Sequence, residues 1–223
     1  MILINPSFEI LSLPDDLKLI EKAGRICYKS EDKITEDSYK KFISGIVKKG
    51  HESVIEHLSA TVNFICDRGV THELVRHRLA NYSQESTRYC LYKNDLTFII
   101  PPWVGLKPNK FYIDQEIMYA PFLTGLEKGF KNEEDYTWFW SMANAEMNYK
   151  KLINKGWPPE KARSVLPNSL KTEIIITANL REWKHIFILR TSLQAHPQMQ
   201  QLITPLRDEF IRRFPEIFVV TML

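Results

Sequence analysis

The chain has 223 residues, 44% hydrophobic and 26% charged, which suits one generous globular domain with a sizeable core. Its formal net charge of +3 is too mild to argue for nucleic acid by itself. No stretch approaches the run of roughly 20 apolar residues that spans a bilayer, and the opening "MILINPSFEILSLPDD" lacks the basic and apolar regions of a signal peptide. The isolated cysteines, Cys27, Cys66 and Cys90, fit a reducing cytosol better than a disulfide framework.

Taken in order, "ILINPSFEILSL" has strand-like spacing and is expected to open a sheet. "PDDLKLIEKAGRICYKS" places apolar residues at helical spacing after an acidic start. "TEDSYKKFISGIVKKG" repeats that design, with Thr35 as the expected N-cap and Gly50 as the stop. "EHLSATVNFICD" alternates Leu58, Ala60, Val62, Phe64 and Cys66 with other residues and reads as a half-buried strand. "DRGVTHELVRHRLAN" returns to a helical pattern, a polar loop follows through residues 83–87, and "TRYCLYKNDLTFIIPP" reads as extended. Residues 110–155 read as helical and aromatic, and "PPEKARSVLP" as a short helix. "LKTEIIITAN" is a strand by its β-branched run. "REWKHIFILRTSLQ" and "PQMQQLITPLRDEFIRRF" read as helices, the second kinked or wrongly bounded at Pro205. Strands and helices are interspersed without regular βαβ alternation, so mixed α/β, or α+β, is the expected class.

The common catalytic signatures fail. "HELVRH" resembles a zinc-protease motif, but His72 and His77 are five residues apart and diverge on a helix, and no paired-cysteine set exists; no metal site is expected. There is no GxGxxG and no P-loop pattern, and the whole chain has only eight glycines, so phosphate would have to be held by side chains and helix N-termini.

Residues 75–89, "VRHRLANYSQESTRY", are unusual for their density of donors. Arg76 and Arg78 lie two apart near the end of an expected helix and would point to different ligand groups or different chains. His77 follows Glu73 by four residues, a spacing that permits a side-chain pair. Ser83, Gln84, Ser86, Thr87 and Arg88 suit a phosphate monoester, with hydroxyls donating and a guanidinium forking onto two oxygens. A solvated helix C-terminus, where basic residues are favoured by the dipole, explains the same residues equally well.

The pattern Arg76-His77-Arg78, seven residues, then Ser86 resembles the signature of the flavin-dependent thymidylate synthases. "GHESVIEH", "ARSVLP", "TANLREWKHIFILR" and "AHPQMQ" resemble other blocks of that family, in the same order. The resemblance covers most of residues 50–200 and is weakest across an insert-like helical region, 103–155, in what is expected to be a single catalytic domain. It implies a mixed α/β fold with a central sheet flanked by helices. It implies reductive methylation of deoxyuridylate (dUMP) to thymidylate, with methylenetetrahydrofolate, FAD and NADPH. It further implies a cytoplasmic homotetramer whose active sites are built from several subunits.

By that resemblance Arg76, His77 and Arg78 contact flavin or nucleotide, with Arg78 near FAD. Ser53, Glu56, Asn179 and Arg181 match flavin contacts, and His185 stands near the adenine end. Gln84, Ser86 and Arg88 match the deoxyuridylate loop, with Arg88 on the phosphate; Arg163 and Arg190 match two further nucleotide-binding arginines. His51 matches a histidine linked to folate and methylene transfer, and Glu73 stands near substrate where relatives carry glutamine. Two phosphate-bearing ligands bring roughly four negative charges, which such arginines would meet with charge-assisted hydrogen bonds. Ser86 reads as a donor to substrate, because no base beside it in sequence would activate its hydroxyl. Arg190 would meet charge developing on a uracil carbonyl. Asn81 replaces a serine common in the signature, His185 an asparagine, and "QAHPQ" departs from a common "AQxE" ending. The rival class is a nucleotide- or nucleic-acid-binding module that uses the arginines without redox chemistry.

Overall fold

The computed structural model describes residues 1–112 and 130–219. The chain packs as two compact units: residues 1–7, 65–73 and 84–174 form one, and residues 8–64, 74–83 and 175 onward form the other. The region 103–155 lies within the first, and the part of its expected helix at 113–129 lies outside the described residues.

In the first unit, β1 (Ile2–Ile4) pairs in parallel with β5 (Thr97–Ile99) and antiparallel with β6 (Asn109–Lys110). The register sets Leu3 opposite Phe98, and both are fully buried. Helix α4 (Glu133–Asn154) joins that core through Phe139, Met142, Ala143 and Tyr149. Its start is well specified: the Asn132 side chain accepts from the Asp135 N–H at 2.7 Å, and Glu133, Glu134 and Asp135 sit at the positive end of the helix. After Gly156, whose φ of +88° needs no Cβ, Pro159 opens the short α5 (Pro159–Ala162), and a 3₁₀ turn carries Arg163.

A four-stranded sheet has the order β2-β3-β7-β4, from β2 (Ser7–Ser12), β3 (Ser59–Asp67), β7 (Lys171–Asn179) and β4 (Ala80–Gln84). Alternation is legible in both long strands: Ala60, Val62, Phe64 and Cys66 of β3 are buried, as are Thr172, Ile174, Ile176 and Ala178 of β7. The second unit holds α1 (Lys18–Tyr28), α2 (Ser38–Lys48), a 3₁₀ turn at Ser53–His57, α6 (Leu180–Arg190), α7 (Pro197–Arg213) and α8 (Pro215–Phe218). Its core is aromatic. Trp183 stacks on Phe187 at 5.8 Å, Phe187 meets Phe210 at 5.1 Å and Phe210 meets Phe218 at 5.5 Å between ring centroids. The buried Trp183 indole N–H donates to the Ala60 carbonyl at 3.1 Å, tying α6 to β3. The fold is α+β, with sheets flanked by helices.

Several expectations need correction. The first strand is two, β1 and β2, in different sheets. Helix α2 starts at Ser38 with Asp37 in the N-cap position, while Ser38 Oγ accepts from the Thr35 N–H; Thr35 caps nothing. The helix expected at 67–81 is short: α3 (Arg68–Leu74) ends before Arg76. Residues 80–84, expected as the end of that helix and the start of a polar loop, form β4, and the extended segment 87–102 is a strand only at β5. Helix α7 runs through Pro205.

Gly24 is buried on α1, and a Cβ there would stand 2.6 Å from the Phe42 ring of α2, itself covered by the Arg25 guanidinium at 4.6 Å. Gly24→Ala should therefore cost about 1–3 kcal/mol in denaturant unfolding, as overpacking does. An unchanged midpoint would show that Phe42 moves aside freely.

Candidate functional site

In the second unit, the segment between α3 and β4 carries Arg76, His77 and Arg78. His77 points inward and is 4% exposed, while the two arginines are exposed. Tyr82 of β4 fixes the turn, its hydroxyl donating to the carbonyls of His77 at 2.6 Å and Leu74 at 2.8 Å. The expected pairing of His77 with Glu73 does not form, because α3 ends at Leu74 and the helical four-residue spacing is lost. His77 instead meets α6: its Nδ1 lies 3.2 Å from Glu182 Oε1, and Arg190 Nε donates to its Nε2 at 2.9 Å. The His185 ring packs edge-on at 5.7 Å.

Burial lowers the His77 pKa from 6.5 to about 4, with the positive charge of Arg190 and then His185 adding to the effect. Burial raises that of Glu182 against an opposing pull from His185. Burial, with Glu182 adding and Arg190 opposing, pushes Tyr82 up to about 12. His77, Glu182 and His185 are the one set among the described residues whose ligand atoms lie within 4.8 Å of one another. Both His77 ring nitrogens are engaged by Glu182 and Arg190, so this cluster is a hydrogen-bonded relay rather than an open coordination site.

Also in this unit, Gly50 (φ +74°) turns the chain out of α2 into His51, whose N–H donates to the Ile46 carbonyl at 2.9 Å. His51 and Ser53, with Tyr28, Phe42 and Arg181, line a cavity of about 360 Å³. Arg181 pairs with Glu56 and lies 3.8 Å from Glu52, while the buried Lys184 pairs with Glu52. Asn179 caps α6, accepting from the Glu182 N–H at 2.9 Å. Arg181 and Asn179 thus already have protein partners. Among the described residues Arg76 and Arg78 have no ion pair, so their guanidinium groups suit the diphosphate of a dinucleotide cofactor.

The first unit carries the hydroxyl-rich turn. Gln84 donates from Nε2 to Thr71 Oγ1 at 3.0 Å and Thr172 Oγ1 at 3.3 Å, so its amide N–H groups support the strand end. Ser86 Oγ accepts from the Arg88 N–H at 3.3 Å, and the Ser86 carbonyl accepts from the Tyr89 and Cys90 N–H groups. Thr87 is buried, and Arg163 Nη1 donates to its Oγ1 at 3.3 Å. Arg88 is exposed, 5.4 Å from the Tyr89 ring centroid. Glu73, half-buried, belongs to this unit too. Glu85 holds the turn from behind through Tyr92 at 2.6 Å, Lys171 at 3.3 Å and, at its carbonyl, Arg68 at 3.3 Å. The structure thus gathers Gln84, Ser86, Arg88 and Arg163 in one unit, and His77, His185 and Arg190 in the other, where His51, Ser53, Glu56 and Arg181 form a second group.

Sequence reasoning missed Glu182, Lys184 and Glu52. The available signal was the charge at 182 and 184 flanking the core residue Trp183 on a helix that buries its neighbours.

Residues 9–216 match the family described as "Thymidylate synthase complementing protein". The chain is 34% identical over 199 residues to a flavin-dependent thymidylate synthase of Pyrococcus furiosus, covering 87% of this chain and 72% of that one. It is 32% identical over 197 residues to that of Geobacter sulfurreducens, covering 85% and 75%. A third, from Mycolicibacterium vanbaalenii, is 32% identical over 211 residues, covering 90% and 77%. With the Arg-His-Arg signature in place and the family match running almost end to end, the chain belongs to the thymidylate synthase complementing protein family, that of the flavin-dependent thymidylate synthases.

Proposed function

We propose that the chain converts deoxyuridylate to thymidylate, taking the one-carbon unit from methylenetetrahydrofolate and reducing equivalents from NADPH through FAD, as a cytoplasmic homotetramer with the whole chain serving one catalytic domain. The observation that carries this reading is the convergence on one turn of Ser86, Arg88 and Arg163, the last from 76 positions beyond Thr87. Two guanidinium groups and a hydroxyl there suit a phosphate monoester. Ser86 serves as a donor: among the described residues no base stands within hydrogen-bonding distance of its hydroxyl, and Oγ is engaged by a backbone N–H.

Arg190 supplies the electrostatic role, its guanidinium meeting the uracil carbonyl oxygen as negative charge develops there. Arg76 and Arg78 would hold the cofactor diphosphate, with Ser53 and Glu56 beside it and His185 towards the adenine; when bound, the reduced flavin supplies the hydride. His51, which lines a cavity with Tyr28 and Phe42, is assigned to the folate. Glu73 approaches the substrate from α3, and Gln84 acts by bracing the turn. The exposed apolar side chains Ile188, Leu189 and Leu193 support assembly with further copies of the chain. Among the described residues no helix is long and apolar enough to cross a membrane.

Purified protein should take up FAD and show its visible absorption band, and should release tritium from 5-tritiated deoxyuridylate with methylenetetrahydrofolate and NADPH. A protein that cannot be loaded with FAD overturns the reading in favour of a non-redox binding module. Arg88→Ala should weaken deoxyuridylate binding by about 2–5 kcal/mol, the scale of breaking a desolvated charge pair. FAD binding should change little; equal loss of both ligands would show that the turn is wrongly assigned.

Because His77 must be neutral here, acid should destabilise the fold. Between pH 6.5 and about 4 the unfolded imidazole binds a proton and the folded one does not. This contribution is therefore intact above pH 6.5 and is lost as pH falls towards about 4. Glu182, whose pKa burial raises, acts with the opposite sign. Denaturant midpoints measured across that window should fall less steeply in His77→Gln than in the parent; identical slopes would assign the acid sensitivity elsewhere.

A further inference from the structure

The relay has a logic that reaches one residue beyond the signature. An arginine guanidinium has donors only. Since Arg190 Nε lies 2.9 Å from His77 Nε2 in donating geometry, that nitrogen has to be the bare one. The neutral ring's single proton then sits on Nδ1, which lies 3.2 Å from Glu182 Oε1, so the carboxylate accepts. Each link leaves the next no alternative. The surroundings hold the geometry: His77 and Glu182 are 4% and 6% exposed, Tyr82 pins the His77 carbonyl, and Asn179 fixes the Glu182 N–H. The ionisable groups facing the imidazole are Glu182, His185 and Arg190 of α6 and Tyr82 of β4.

We propose that Glu182 is a positioning residue for this reaction: by accepting the Nδ1 proton of His77 it holds the imidazole in the tautomer whose bare Nε2 orients the Arg190 guanidinium. This rests on the reading that Arg190 meets the nucleotide. Without an acceptor at 182, the proton can move to Nε2, where it confronts the Arg190 Nε–H and breaks that hydrogen bond. Activity falls because the arginine no longer points at the developing charge, although its charge is unchanged.

The test compares Glu182→Leu, of similar size but with no acceptor, with Glu182→Gln, whose side-chain carbonyl can still accept. Selective ¹⁵N-histidine labelling reads the His77 tautomer directly, with or without turnover. The parent and Glu182→Gln should show the Nδ1-protonated form, and Glu182→Leu a mixture or the Nε2-protonated form. In steady-state assays Glu182→Leu should lose 10- to 100-fold in kcat while FAD affinity stays within about threefold, and Glu182→Gln should recover most of that loss. An Nε2-protonated ring in the parent overturns the proposal, and that spectrum needs no variant to fold. So does a Glu182→Leu protein that keeps a single Nδ1-protonated ring, or that changes tautomer with kcat unaltered. Failure of the functional reading is recognised separately: the parent would then release no tritium while its tautomer could still be read.

Discussion

Buried charge on α6 constrains the second unit more than any other feature. Glu182 and Lys184 are both 6% exposed, on a helix whose Trp183, Ile186 and Phe187 are fully buried. An ionised group in such surroundings must be paired or it costs several kcal/mol. The partners come from far along the chain: His77 for Glu182, and Glu52 for Lys184. Removing either partner would leave a charge stranded. The pairings therefore fix where the 51–57 turn and the 75–79 segment lie against the helix, and with them His51, Arg76 and Arg78. The aromatic cluster supplies burial, and these polar ties supply register.

The same helix shows how much could be read in advance. The long strands were legible because alternation survives at Ala60, Val62, Phe64 and Cys66 and at Ile174, Ile176 and Ala178. Helices α6 and α7 were legible from apolar periodicity. Strand β4 was not, because Ala80-Asn81-Tyr82-Ser83-Gln84 has no β-branched residue and its pairing is supplied by the sheet. Thr35 is a good cap by residue type, but so is Asp37, and only the three-dimensional start of α2 separates them. The Glu73–His77 pairing failed for a related reason: four-residue spacing counts only while the helix continues, and α3 stops at Leu74. Of the site, the family resemblance named His77 and Arg190 but not what joins them, since that link spans 113 positions.

Matching a family position does not make a side chain available. Asn179 and Arg181 match flavin contacts, yet one caps α6 and the other pairs with Glu56. Gln84 directs its amide N–H groups at Thr71 and Thr172. Arg88 differs: it is exposed, and among the described residues its guanidinium meets the Tyr89 ring and no ion-pair partner. Among the described residues Arg88 and Arg78 have no ion pair for a ligand to break, whereas binding through Arg181 means sharing it with a carboxylate. On that ground the exposed arginines are better placed to meet an anion than the engaged residues.

The choice of imidazole beneath Arg190 has a consequence for charge. A carboxylate would hold a guanidinium more tightly, but would cancel most of the field it presents to a substrate oxygen. A protonated imidazole would repel it. A neutral ring with a bare nitrogen accepts from the arginine without adding a negative charge beside it, and burial is what keeps the ring neutral. Glu182 then stands on the far side of the ring, where its negative charge reaches Arg190 only across the imidazole. On the proposed reading of Arg190, the imidazole gives the guanidinium direction without cancelling its charge, and Glu182 gives the imidazole its tautomer.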